Sequence, residues 1–225
     1  MGLLIGFLAG LVMSAVGVTP AAAQDAAFFT ATYVEVAPPS TGAAAQLLRQ
    51  YRDAVRAQPG SARIEVLQRI DRPNQFTILG AWTDQKAFEA HAGSAAAELR
   101  DKLAPLLMSP NDERLHQALA VAPPTATAAG AIFAVTHVDV IPPRKDDAVT
   151  ALKRLAEESR KDPGSVRFDV VQQTSRPNHF TVVEVWRDRS AFDSHGMAAH
   201  TKRFRTDLGP MSGSLYDERL YTELN

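Results

Sequence analysis

"NHFTVVEVW", Asn178 to Trp186, repeats "NQFTILGAW", Asn74 to Trp82, at a distance of 104 residues. Sliding the chain by that distance places Phe29 on Phe133, Pro38-Pro39 on Pro142-Pro143, and Pro59-Gly60-Ser61 on Pro163-Gly164-Ser165. Arg72-Pro73-Asn74 falls on Arg176-Pro177-Asn178, Phe88 on Phe192 and His91 on His195. From Ala27 to His91 there are 26 identities in 65 positions without a gap, so the chain carries an internal duplication. One residue is then inserted in the second copy, and Asp112-Glu113-Arg114-Leu115 matches Asp217-Glu218-Arg219-Leu220 at a shift of 105. The repeats are expected at 27–120 and 132–224, joined by the Pro-, Ala- and Thr-rich segment 121–131.

Each copy reads β-α-β-β-α-β. In the second, Ile132 to Ile141 alternates and is β-rich, and Pro142-Pro143 ends it. Asp146 and Asp147 favour a helix start, and Ala148, Leu152, Leu155 and Ser159 line one face at helical spacing. Arg160-Lys161 and Pro163-Gly164 stop that helix. Two strands follow, joined by the turn Ser175-Arg176-Pro177-Asn178. Asp188 caps a second helix carrying Phe192 and His195, which continues irregularly past Met197 to about Leu208 before a last strand at about 215–224. This order is the ferredoxin-like split βαβ arrangement, an α+β fold. In Asn178 to Trp186, Phe180, Val182, Glu184 and Trp186 point one way and Thr181, Val183 and Val185 the other. A strand apolar on both faces needs cover on both sides. The two repeats are therefore expected to pack sheet against sheet as a covalent pseudo-dimer, an intramolecular α+β barrel.

These residues resemble the antibiotic biosynthesis monooxygenase domains, small quinol- and polyketide-oxidising enzymes with a dimeric α+β barrel. The shared pattern here is Pro163-Gly164, Asn178 and Phe180, Glu184 and Trp186, Ala191-Phe192, His195, and His200 five residues on. The resemblance covers both repeats. It implies oxidation of a small aromatic or quinol by dioxygen without a cofactor, using a base and a dry, hydrogen-bonding pocket. Carried onto this chain, it makes His195 and His200 candidate bases, Glu184 an orienter or alternative base, and Trp186 a pocket wall. Asn178, Phe180, Phe192 and His137 are candidates for lining the substrate site. The same superfamily also contains haem-degrading proteins. A haem-binding role and a non-catalytic envelope module that holds an apolar ligand or a protein are the alternatives.

Each candidate also has a plain structural reading. Trp186 and Trp82 suit core packing, and His195 and His91, retained in both copies, suit a helix-to-loop His bonded to backbone. His137 has Tyr33 as its counterpart and suits a half-exposed strand position. His195 and His200 are five apart, not the four that place two ligands on one helix face, so no metal site is expected, although Glu184 would complete a two-His-one-carboxylate set. The copies differ in their polar residues. The second has Glu184 and His200 where the first has Gly80 and the Ala-rich "SAAAEL". The second repeat is expected to be the active half and the first mainly scaffold.

The first 23 residues stand apart. Leu3 to Val18 is apolar and uncharged, and Ala21-Ala22-Ala23 forms a small-residue exit. This reads as a secretory signal peptide cleaved after Ala23, against the alternative of a retained membrane anchor. The protein is expected in the bacterial envelope, periplasmic or secreted. The chain has no Cys, which excludes disulfides and thiolate chemistry. Lys plus Arg is 24 and Asp plus Glu is 25, with no basic stripe, which argues against nucleic acid as a partner. A second round of pairing, a homodimer of pseudo-dimers, is compatible with the sequence.

Overall fold

The computed structural model describes residues 28–123, 125 and 127–224. The expected signal segment at 1–23, and Ala27 at the start of the first repeat, lie outside the described residues. Repeat one runs β1 (Phe28–Glu35), α1 (Thr41–Arg56), β2 (Ser61–Arg69), β3 (Gln75–Trp82), α2 (Gln85–Ala92), α3 (Ala95–Leu103) and β4 (Asp112–Ala120). Repeat two runs β5 (Ile132–Asp139), α4 (Lys145–Ser159), β6 (Ser165–Gln173), β7 (His179–Trp186), α5 (Arg189–Met197), α6 (Ala199–Leu208) and β8 (Asp217–Glu223). The second helix of each copy is thus two helices. In repeat two the break falls at Ala198, whose φ of −62° and ψ of 148° are extended.

Within each repeat the strands pair antiparallel in matching register, Phe28↔Trp82 to Glu35↔Gln75 and Ile132↔Trp186 to Asp139↔His179. The fourth strands join the halves. β4 lies between β1 and β6, and β8 between β5 and β2. The ring closes in the order β1-β3-β2-β8-β5-β7-β6-β4, so the eight-stranded barrel leaves no edge strand open.

The two-sided apolar pattern of β7 now has two destinations. Phe180, Val182 and Trp186 face the helices and pack with Leu152, Leu155, Phe192 and Phe204. Val183 and Val185 face the barrel interior with Phe133, Val135, Leu67 and Tyr221. Ala148, Leu152, Leu155 and Ser159 are all buried, as the α4 spacing implies. The interior is not wholly apolar. Arg167 makes a bidentate pair with Glu65, both contacts at 2.8 Å, and Arg63 reaches Asp169 at 3.0 Å. These four residues occupy equivalent positions in the two copies, so one crossed set of buried ion pairs ties the repeats together.

Candidate active site

Glu184 and Trp186 both point from the end of β7 toward the helices, two residues apart on one face. Trp186 Nε1 donates to Glu184 Oε2 at 2.8 Å. Asp188 caps α5 by accepting from Ala191 N at 2.8 Å, which aims the last turn of that helix back at β7. His195 lies in that turn, stacked on Trp186 at 4.5 Å between ring centroids. Its Nε2 is 3.6 Å from Glu184 Oε2.

The Pro163-Gly164 turn supplies a group that the sequence comparison passes over. Gly164 has φ +86°, and a Cβ there would meet the Ala191 Cβ at 2.6 Å. Only glycine lets the turn press this closely on α5. The turn carries Asp162, whose Oδ2 lies 2.8 Å from His195 Nδ1. The break at Ala198 then brings His200 back beside His195, with ring centroids 5.4 Å apart, and Thr201 Oγ1 within 3.3 Å of the His195 ring. Asp162 had a visible signal, since its counterpart in copy one is Gln58.

Burial sets the charges. Glu184 is 3% exposed, and desolvation pushes its carboxyl up to about 8, against the smaller opposing effect of the Trp186 hydrogen bond. At neutral pH it is mostly the neutral acid. Burial also lowers the His195 pKa, opposed by the adjacent Asp162 carboxylate. A neutral ring that donates Nδ1–H to Asp162 has its free lone pair on Nε2, the atom facing Glu184. The arrangement is a proton acceptor held by a carboxylate, with an acid beside it.

The other sequence candidates lie elsewhere. Asn178 straps the turn by donating to Val140 O at 2.7 Å, as Asn74 does to Val36 O at 3.0 Å. Phe180 and Phe192 belong to the core beneath α4 and α5. His137 is on the opposite face of the sheet, buried in the barrel interior rather than half exposed, edge-on to Tyr33 and within 3.0 Å of Arg114. It does not join His195.

Repeat one keeps the frame and changes the chemistry. His91 stacks on Trp82 at 4.4 Å, but its partners are Tyr51 Oη at 2.8 Å and Gln58 Oε1 at 3.2 Å, side chains rather than the backbone expected. Burial lowers the His91 pKa to about 4, with no carboxylate to oppose it. Gly80 replaces Glu184, and Thr30 replaces Ala134 across the β1–β3 pairing. A Cβ at position 80 would lie 2.5 Å from Thr30 Oγ1 and 2.9 Å from Trp82 Nε1, which is buried without a hydrogen-bond partner among the described residues.

The helix pairs above the two sites also differ. In repeat one a cavity of about 220 Å³ opens between α1 and α3, with Leu47, Tyr51, Ala54, Ala95 and Leu99 in its walls together with the polar Gln50, Glu98 and Lys102. In repeat two the corresponding helices are clamped by Arg154–Asp207 at 2.5 Å and by Arg203–Glu158.

Comparison with known proteins follows the same division. The family profile for antibiotic biosynthesis monooxygenase matches residues 27–98 and 131–207, together more than half of the chain. The provisionally named monooxygenase YcnE of Bacillus subtilis is 25% identical over 68 residues, 30% of this chain and 72% of that protein. An uncharacterised Synechocystis protein, sll1783, is 27% identical over 73 residues, 32% of this chain and half of its own length. Two solved structures, provisionally named monooxygenases from Fusobacterium nucleatum and Lactobacillus acidophilus, superpose with TM-scores of 0.80 and 0.74. Each covers 89% of this chain, and 93% and 95% of those chains are matched. At 14% and 15% identity they share the fold across both repeats.

Proposed function

The chain belongs to the antibiotic biosynthesis monooxygenase family, and from that premise we propose that it oxidises a small phenol or quinol with dioxygen in repeat two. The observation that carries this reading is the Asp162–His195–Glu184 constellation against Trp186, whose polar members repeat one lacks except for the His.

Asp162 fixes the His195 tautomer, so Nε2 accepts the substrate O–H proton. Neutral Glu184 donates a hydrogen bond toward the developing phenolate oxygen. Trp186 and the surrounding Phe168 and Phe204 keep the site dry, which strengthens both interactions. The phenolate transfers one electron to dioxygen, and the two radicals recombine at a ring carbon to form a C–O bond. Loss of that carbon's hydrogen with cleavage of the O–O bond leaves a quinone carbonyl and releases one water. Both oxygen atoms and all four electrons taken up by dioxygen are accounted for. The partly exposed side chains of Asp162 and His200, 19% and 14% exposed, are the side of the constellation from which substrate approaches. The apolar segment Leu3 to Val18, read as a cleaved leader, supports a site of action in the bacterial envelope.

The cavity beside Tyr51 favours a second reading, in which the chain holds an apolar ligand in repeat one without turning it over. Oxygen-electrode assays with a panel of naphthols, anthrones and hydroquinones separate the two. Stoichiometric oxygen consumption with quinone formation supports the enzyme. Saturable ligand binding with no oxygen consumption replaces it with the binding module.

A further inference from the structure

Asp162 Oδ2, His195 Nδ1 and His200 Nε2 come from three different segments and lie within 4.8 Å of one another. The carboxylate oxygen is 2.8 Å from the first nitrogen and 3.1 Å from the second. We propose that these three atoms form a binding site for a borderline divalent transition cation of the zinc type.

The two carboxylate–nitrogen distances suit such an ion. Metal–ligand bonds of roughly 2.0–2.2 Å to imidazole nitrogen and carboxylate oxygen place neighbouring donors about 3 Å apart. The ligand chemistry also fits, since two imidazoles and one carboxylate select zinc-like cations over calcium or magnesium. The five-residue spacing argues against shared ligation on one continuous helix. The extended backbone at Ala198 removes that objection, because His195 ends α5 while His200 begins α6.

Two observations beyond proximity point to a ligand. His200 Nε2 is sealed from solvent, yet it meets Asp162 outside hydrogen-bond geometry, so this nitrogen has no hydrogen-bond partner among the described residues. Further, when a histidine ligates through Nδ1 its proton sits on Nε2, and here Nε2 faces Glu184 Oε2 at 3.6 Å. An oxygen acceptor behind a ligating histidine fixes its ring and tautomer, and the Glu184 carboxyl oxygen stands in that place. The His200 and Asp162 side chains are 14% and 19% exposed, which gives the cation an approach from solvent. Repeat one is an internal control. Its equivalents are Gln58, His91 and Ala95, so one donor of three survives.

The consequence for turnover rests on the proposed role of His195. A cation on Nδ1 displaces Asp162 from that nitrogen and moves the proton to Nε2, which removes the base. Occupancy would then silence oxidation.

Binding is tested on the chelator-treated mature protein by titration with zinc chloride against a chromophoric chelator, and with cobalt(II) as a spectroscopic probe. One equivalent should bind, with cobalt d–d bands. Asp162→Asn and His200→Ala should each weaken zinc at least ~10-fold, the range seen for loss of one ligand or its support. His91→Ala should bind as the parent does. Circular dichroism confirms that each variant is folded, and His200→Gln serves if His200→Ala is not. No saturable binding by the parent, or equal binding by the Asp162 and His200 variants, overturns the site. Binding without any loss of oxygen uptake leaves the metal site standing and removes His195 as the base.

Discussion

Trp82–His91 and Trp186–His195 are the same stacked pair, 4.4 and 4.5 Å apart at the same 27° tilt, set in opposite electrostatic surroundings. In repeat one the imidazole meets a phenol and an amide. In repeat two it meets two carboxyl groups and a second imidazole. Duplication preserved what the fold needs and released the rest. The stacked pair, the Pro-Gly turn and the Asn strap hold strand to helix in both halves. The charges around the ring bear no such load, so they diverged. The compensation is local. Without a carboxylate at position 80 there is room at β3, Thr30 fills part of it, and Trp82 Nε1 has no acceptor among the described residues.

The comparison breaks most visibly at the barrel interior, where the copies depend on each other. Arg167 is 1% exposed and answers both Glu65 and Asp169. Arg167→Met strands those carboxylates and is expected to cost ~3–5 kcal/mol in urea melts, as removal of one partner of a buried pair does. Arg63, 18% exposed, is the symmetric residue, and Arg63→Met should cost clearly less. Equal losses would mean that the interior does not distinguish the halves.

A smaller effect is expected where the copies diverged. Gly80→Ala forces a methyl into Thr30 Oγ1 and Trp82 and should destabilise by ~1–3 kcal/mol. Thr30→Ala, which restores the Ala134 arrangement, should recover most of that loss in a double-mutant cycle. Additive effects would remove the coupling inferred between the two positions.

Protonation gives a third test. His91, His137 and His116, the last on β4 with its Nε2 3.0 Å from Thr181 Oγ1, are buried and lowered to about 4, against about 6.5 in an unfolded chain. Between these values the unfolded chain takes up protons that the native state refuses. Their contribution is therefore complete above pH 6.5 and is lost as pH falls toward 4. In NMR titrations with chelator present, His91 should titrate lower than His195, and Asp162→Asn should move His195 further down. A His195 resonance unaffected by Asp162→Asn would detach the aspartate from the ring. The least effect is expected at the exposed clamp, where Asp207→Asn should change stability by less than ~1 kcal/mol.

Much of this architecture was legible in the sequence. The 104-residue shift exposed the duplication, and the two-sided apolar pattern of Asn178–Trp186 required cover on both faces. Pairing across repeats was not legible, because β4 and β8 carry no mark of which neighbour they join. The site was half legible. Glu184 and His200 stood out as departures from Gly80 and an Ala-rich stretch. Asp162 carries the same kind of departure, against Gln58, but an Asp beside a Pro-Gly pair is ordinary turn chemistry and carries no mark of a site. Sequence spacing set His195 and His200 apart, and the extended residue between their helices brought them together. His137 shares a strand face with Phe133 and Val135, and only barrel closure shows that this face is the interior.

The central claim is that the chemistry follows the polar constellation of repeat two, not the stacked pair common to both. It is tested most directly by oxygen uptake with a turned-over quinol, comparing His195→Ala with His91→Ala at matched melting temperature. Positioned acid–base groups contribute ~100- to 10,000-fold in rate. The account predicts at least a ~10-fold lower rate for His195→Ala, since part of that contribution survives in its neighbours, and near-parental turnover for His91→Ala. Equal losses from the two variants, or no loss from His195→Ala, would contradict it.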